Sequence, residues 1–146
     1  MIRKIALMIA LVAVATGALG QVPRLDEAEA SAKKENKLIL LKFSGSDWCA
    51  PCIQLQKVII DDPAFVAFAN QKLVLLLADF PRQKKHRLSA ELQQQNDKLA
   101  EQYNPKGEFP YMALLDANGK TLHTWSGYDK KLSVADYVST INGYIK

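Results

Sequence analysis

Cysteine and histidine are scarce in this chain of 146 residues, with two of each. Both cysteines fall in one heptapeptide, "SDWCAPC", Ser46 to Cys52. A structural zinc site takes four ligands as a rule. With one Cys-x-x-Cys, and with His86 and His123 in no ligand spacing to it, such a site is excluded. A disulfide scaffold is excluded too, because a bridge stabilises more the longer the loop it closes, and Cys49 to Cys52 closes almost nothing. A Cys-His hydrolase lacks a histidine placed by sequence near Cys49. An excess of one charge is also missing: 19 basic residues stand against 15 acidic ones, a formal net charge of +4, and give no case for a nucleic-acid partner. There is no internal repeat, and "QQQ" at Gln93 to Gln95 is too short to count as low complexity.

An apolar run long enough to span a bilayer, roughly 20 residues, is absent as well. The run from Ile5 to Ala15 is shorter and comes after Arg3 and Lys4. It leads to the small-x-small site Ala18-Leu19-Gly20. Positive head, short apolar core and small-residue site predict a secretory signal peptide over residues 1–20, cleaved before Gln21. No cysteine lies at that site, which excludes a lipoprotein anchor. Two basic residues leave with the signal, so the mature charge falls to +2 (17 basic, 15 acidic). Residues 21–146 are expected to form one domain with room for a real core, Gln21 to Leu25 being a loose leader. A periplasmic or secreted location is implied, with no stable membrane insertion after cleavage. Disulfides persist in such compartments. With structural roles set aside, what remains for the cysteines is a pair that opens and closes.

The chain around the pair has a readable order. "AEASAKKEN", Ala28 to Asn36, is polar and helix-prone. Leu38 to Phe43 is an apolar run bounded by Ser44-Gly45-Ser46, a strand buried on both faces. From Cys49 the spacing becomes helical, and Asp62-Pro63 caps and opens a second short helix. "KLVLLLADF", Lys72 to Phe80, is a second buried strand stopped by Pro81. "LSAELQQQNDKLAEQY" is an amphipathic helix capped at Ser89, with Leu88, Leu92, Leu99 and Tyr103 inward. "YMALLDANGKTLHTW" is a hairpin turning at Asn118-Gly119. "SVADYVSTINGYIK" closes the chain as a helix whose inner stripe is Val134, Tyr137, Val138, Ile141 and Ile145. The strand–helix–strand unit predicts a parallel pair, and the hairpin adds antiparallel strands, so helices must cover both faces of a mixed sheet.

A strand, then "WCAPC" opening a helix, a later strand entered through "FP", a hairpin and a closing helix resemble the thioredoxin family. The likeness covers nearly all of the mature chain. Only Ala50 departs from the commonest motif, which has glycine there. "FSGSDWC" is similar to the short secreted thioredoxin-like proteins of bacteria. The fold class implied is α/β, a thioredoxin fold.

On such a backbone Cys49 sits where strand gives way to helix, and unpaired N–H groups with the positive helix end favour its thiolate. Cys52 lies one turn deeper. Cys49 is therefore expected to attack and Cys52 to resolve the mixed disulfide. Pro51 stiffens the first turn without costing a hydrogen bond. Asp47 reads either as a solvated turn residue or as a negative charge opposing the helix effect. The resemblance implies that Trp48 borders the active site. It also implies that the Phe109–Pro110 bond is cis and faces the pair, and that Phe109 offers backbone atoms to an extended peptide by strand addition. Thioredoxins further carry an acid in the first central strand beneath the second cysteine. Here the candidate positions hold Lys42 and Phe43. A lysine aimed at the pair favours thiolate; Asp79, at the end of its strand, is a substitute acid. "RQKKHR", Arg82 to Arg87, reads as a solvated loop with His86 exposed, or as a docking patch for an acidic partner. His123 reads as a surface strand residue.

The function expected is a thiol-disulfide oxidoreductase acting on protein disulfides or dithiols. It needs no bound cofactor beyond the Cys49–Cys52 pair, is supplied by an extracytoplasmic or membrane electron donor, and acts as a monomer. Because Ala50-Pro51 brings no charge between the sulfurs, a reductant or isomerase is expected over a strong oxidant. The alternative is a binding module of the same fold, a copper- or haem-pathway accessory or a redox-silent adaptor. No methionine or histidine beside "CAPC" supports copper.

Overall fold

The computed structural model describes residues 24–146. The expected signal segment and its cleavage site lie outside the described residues. Helix α1 (Leu25–Glu35) leads to strand β1 (Leu38–Ser44). Helix α2 (Ala50–Leu55) continues into a π-turn over Gln56–Ile60, and then come α3 (Pro63–Lys72) and β2 (Leu73–Asp79). A short 3-10 turn, Lys84–His86, precedes α4 (Ala90–Tyr103), the hairpin β3 (Tyr111–Leu115) and β4 (Thr121–Ser126), and α5 (Val134–Asn142). The four strands lie in the order β2-β1-β3-β4. β1 pairs parallel with β2, Leu38 opposite Leu73, and antiparallel with β3, Phe43 opposite Tyr111. This is the mixed sheet expected, covered on both faces.

Strand alternation divides the core in two. Ile39, Leu41 and Phe43 of β1 point to the side of α1 and α4, where Ala28, Ala32, Leu99 and Tyr103 meet them. Leu40, with Met112 and Leu114 of β3, points to the other side, against Leu55, Ile59, Phe65, Ala69, Tyr137 and Ile141. Burying a side chain of this size contributes about 1.5–3 kcal/mol. Lys42 shares the second side with Leu40 and so lies on the side of the cysteine helix; Phe43 does not.

Local rules set most boundaries. Asn36 ends α1 with φ 53°, a left-handed cap that asparagine tolerates. The Asp62 carboxylate accepts from Ala64 N at 2.8 Å, with Pro63 at the first helical position as expected. Ser89 caps α4, accepting from Leu92 N at 3.2 Å. Ser133 and Asp136 form a reciprocal capping box on α5.

Three expectations are corrected. Leu25, expected in a loose leader, opens α1 and packs on the core. β2 is not buried on both faces: it is the sheet edge, and Leu75 is 46% exposed. Its apolar run reflects partial cover by α1, α3 and α4, a cover that interior strands share. The hairpin turn is longer than Asn118-Gly119. It runs from Asp116 to Lys120, and the Asp116 carboxylate accepts from the backbone N–H of both Asn118 and Lys120. Gly119 takes φ 77°, and the register of the hairpin shifts between Leu114 and Leu115.

Candidate active site

The pair sits where β1 gives way to α2, as the spacing predicts. Cys49 and Cys52 are joined as a disulfide, with Cα atoms 5.2 Å apart. Cys49 stands at the helix N-cap, and Cys52 N–H points at its sulfur, N···S 3.3 Å. That is the free amide which favours a negative sulfur once the bridge opens. Both residues are buried, Cys49 keeping 5% of its surface exposed and Cys52 2%. Pro51 lies in the first turn of α2.

An aromatic wall is built on Trp48, the residue before Cys49. The Trp48 indole N–H donates to Phe80 O at 2.7 Å. Its ring meets Phe109 edge-on, centroids 5.5 Å apart, and Phe109 meets Phe80 at 5.6 Å. The indole lies against Gly45, where a Cβ would overlap it. The Phe109–Pro110 peptide bond is cis. Pro110 is buried, and its carbonyl accepts from Gly127 N at 2.8 Å.

Lys42 takes the place beneath the cysteine helix. Its ammonium donates to Gln56 Oε1, one turn beyond Cys52. Gln56 Nε2 in turn donates to Asp61 Oδ1 at 2.6 Å. Burial lowers the Lys42 pKa below the usual lysine range, opposed by the charges of Asp61 and Asp79. Asp79 does not replace the missing acid directly. Its carboxylate accepts from Ser46 N at 2.9 Å and from the Ser46 hydroxyl, and its carbonyl accepts from Asn96 Nδ2 at 2.8 Å. It clamps the loop that leads into the pair.

Asp47 is the residue whose role the sequence leaves most open, and it is no solvated turn residue, its side chain being only 4% exposed. Its carboxylate accepts from Arg82 N and Gln83 N, each at 2.9 Å, and lies 2.9 Å from His86 Nδ1. Gln83 Nε2 donates to Asp47 O at 3.2 Å. These contacts, the Arg82 amide foremost, lower the Asp47 pKa from the ordinary 3.8 to about 2. The Arg82 guanidinium carbon lies 3.6 Å from the Trp48 ring centroid. The "RQKKHR" segment is thus fastened to the active-site loop, and His86 meets Asp47, two residues before Cys49, a contact its sequence position does not suggest. His123 stays on β4, edge-on to Trp125. Among the described residues no three His, Cys, Asp or Glu side chains are grouped to hold a metal ion. No helix there is long and apolar enough to cross a membrane.

This arrangement can hold one sulfur as an anion, screen it with aromatics and close on it with a second sulfur. The comparisons agree with it. A family model described as a thioredoxin-like domain matches residues 25–140. The chain is 38% identical over 120 residues to the disulfide bond reductase DsbH of Chlamydia pneumoniae, covering 82% of this chain and 69% of that protein. It is 34% identical over 102 residues to the thioredoxin-related protein DsbJ of the same organism. That match takes in 68% of this chain but only 28% of DsbJ. A solved DsbH oxidoreductase superposes with TM-score 0.73 at 33% identity, over 84% of this chain and 82% of that one. A disulphide isomerase from Xylella fastidiosa Temecula1 shares the fold, with TM-score 0.58 at 19% identity over 84% and 88% of the two chains.

Proposed function

The chain belongs to the thioredoxin-like family, and from that premise we propose that it reduces protein disulfides outside the cytoplasm. It is a thiol-disulfide oxidoreductase, and Cys49 and Cys52 are the reagent. The single observation that carries the reading is the Cys52 N–H directed at Cys49 Sγ at the start of α2. In the reduced enzyme the Cys49 thiolate attacks one sulfur of a substrate disulfide. That S–S bond breaks, and the departing substrate thiolate takes up a proton. Cys52, losing its own proton, then attacks the Cys49 sulfur and releases the second substrate thiolate. Two electrons pass to the substrate, and the enzyme is left with the Cys49–Cys52 bond. A dithiol or membrane electron donor returns two electrons to reset it.

Trp48, Phe109 and Pro110 form the rim on which an extended substrate chain lies, Phe109 offering its backbone. Pro51 stiffens the helix start, and Asp79 holds the loop through Ser46. Reduction is the direction favoured by the likeness to a protein named as a disulfide bond reductase. The extracytoplasmic location rests on the N-terminal pattern of positive head, short apolar run and small residues. The test is turbidity of insulin under dithiothreitol, together with trapping. The wild type accelerates precipitation, Cys52→Ser accumulates mixed disulfides on a non-reducing gel, and Cys49→Ser accumulates few. The opposite trapping pattern reverses the two roles, and no acceleration removes the reductase reading.

A further inference from the structure

Arg82 to Arg87 contains four of the chain's 19 basic residues, one of its two histidines and none of its 15 acids. Every residue of the segment is exposed. A run of this kind ordinarily serves as a solvated loop. This one differs in being tied down. Two backbone amides, of Arg82 and Gln83, and the His86 ring are held on the carboxylate of Asp47, two residues before the attacking sulfur. The short turn Lys84–His86 sets the direction in which the chain leaves toward α4. Arg82 stacks on Trp48.

The two acids nearest the pair along the chain and across the sheet do not stand free against these cations. Asp47 has its oxygens filled by the segment's own backbone and His86. The Asp79 carboxylate is occupied by Ser46. Lys84, Lys85 and Arg87 side chains make no hydrogen bond or ion pair among the described residues. The positive charge beside the aromatic wall is thus left for a partner, and its position relative to the sulfurs is set by hydrogen bonds.

We propose that Arg82–Arg87 is a docking surface for acidic stretches flanking the disulfide of a protein substrate, so that such substrates are reduced faster than neutral ones. This rests on the oxidoreductase reading and adds the substrate class to it. Exposed charges of opposite sign raise encounter rates by about 10- to 1,000-fold in favourable cases. The effect fades as salt shortens the screening length from about 30 Å at 0.01 M to about 3 Å at 1 M. Both properties are measurable.

The test uses three disulfide peptides that differ only in whether the flanks are acidic, neutral or basic, and measures their reduction by the dithiol form of the full protein. At low salt the acidic peptide is expected to react about tenfold faster than the neutral one, and the basic peptide slowest. Raising salt to about 0.5 M brings the three rates together. In the variant carrying Lys84→Gln, Lys85→Gln and Arg87→Gln, which spares the Asp47 and Trp48 contacts, the spread between peptides collapses. Equal rates for the three peptides at low salt overturn the proposal while leaving the oxidoreductase reading intact. An acidic preference that survives in the triple variant overturns the assignment to this segment. Failure of the protein to reduce any of the peptides overturns the oxidoreductase reading itself. Binding to vesicles of anionic phospholipid, with no spread among the peptides, reassigns the patch to a membrane surface and overturns the proposal.

Discussion

At the scale of single residues, Lys42 departs from the thioredoxin pattern, and Asp47 ties the active-site loop to a distant segment. Lys42 places an amine beneath the cysteine helix, linked through Gln56 to the turn that comes after Cys52. A positive charge there favours thiolate, and burial limits how fully that charge is held. Lys42→Met keeps the volume and removes the charge. It is expected to make the Cys52 thiol harder to deprotonate and to slow release of the mixed disulfide. Alkylation of each cysteine against pH, read by mass, measures it; an unchanged Cys52 profile removes Lys42 from the chemistry. Asp47 has its folded pKa depressed to about 2 against an ordinary 3.8. A depressed carboxylate contributes its stabilisation in full above the unfolded value and loses it as pH falls through the folded one. The tie to Arg82 and Gln83 therefore holds above about pH 4 and releases toward about pH 2. Asp47→Asn is expected to speed hydrogen exchange of the Arg82 and Gln83 amides at neutral pH. Protection equal to wild type would show that the segment stands without its anchor.

At the scale of elements, the joint between β1 and α2 decides the shape of the site. Gly45 is small because the indole of Trp48 occupies the space of a side chain. Gly45→Ala is expected to push the ring off Phe80 O, cost about 1–3 kcal/mol, and accelerate exchange of the indole N–H. A variant with unchanged denaturant midpoint and indole exchange would contradict this. Most elements were legible in the sequence because their signals are local. Leu38 to Phe43 reads as a strand, Asp62-Pro63 as a helix start, and Tyr137 with Ile141 as an inner stripe, each within a few residues. The cysteine pair and its helix-start position were legible for the same reason. What escaped was set by partners far along the chain. The Asp47 carboxylate binds residues 35 and 36 positions away. Leu75 is exposed on β2, the edge of the sheet among the described residues. The side on which Lys42 falls is fixed by alternation only once it is known which face α2 covers.

For the whole molecule the measurable sum of these effects is the reduction potential. Ala50 and Pro51 bring no charge between the sulfurs, and the ionised Asp47, two residues before Cys49, works against an excess of thiolate. The buried Lys42 is the main influence toward an oxidant, weakened by its lowered pKa. A potential more negative than about −150 mV is expected on equilibration with glutathione buffers; a more positive value would place the protein with the strong oxidants, near about −120 mV. The wall around Cys49 also has a consequence for timing. Trp48 is held by Phe80, and Phe109 comes sixty residues after Cys49 (109 minus 49). A nascent chain that has reached only Asp79 already carries both thiols, yet neither the aromatic wall nor the cationic segment has been made. The rim that joins Trp48, Phe80 and Phe109 is therefore complete only once synthesis has passed Phe109.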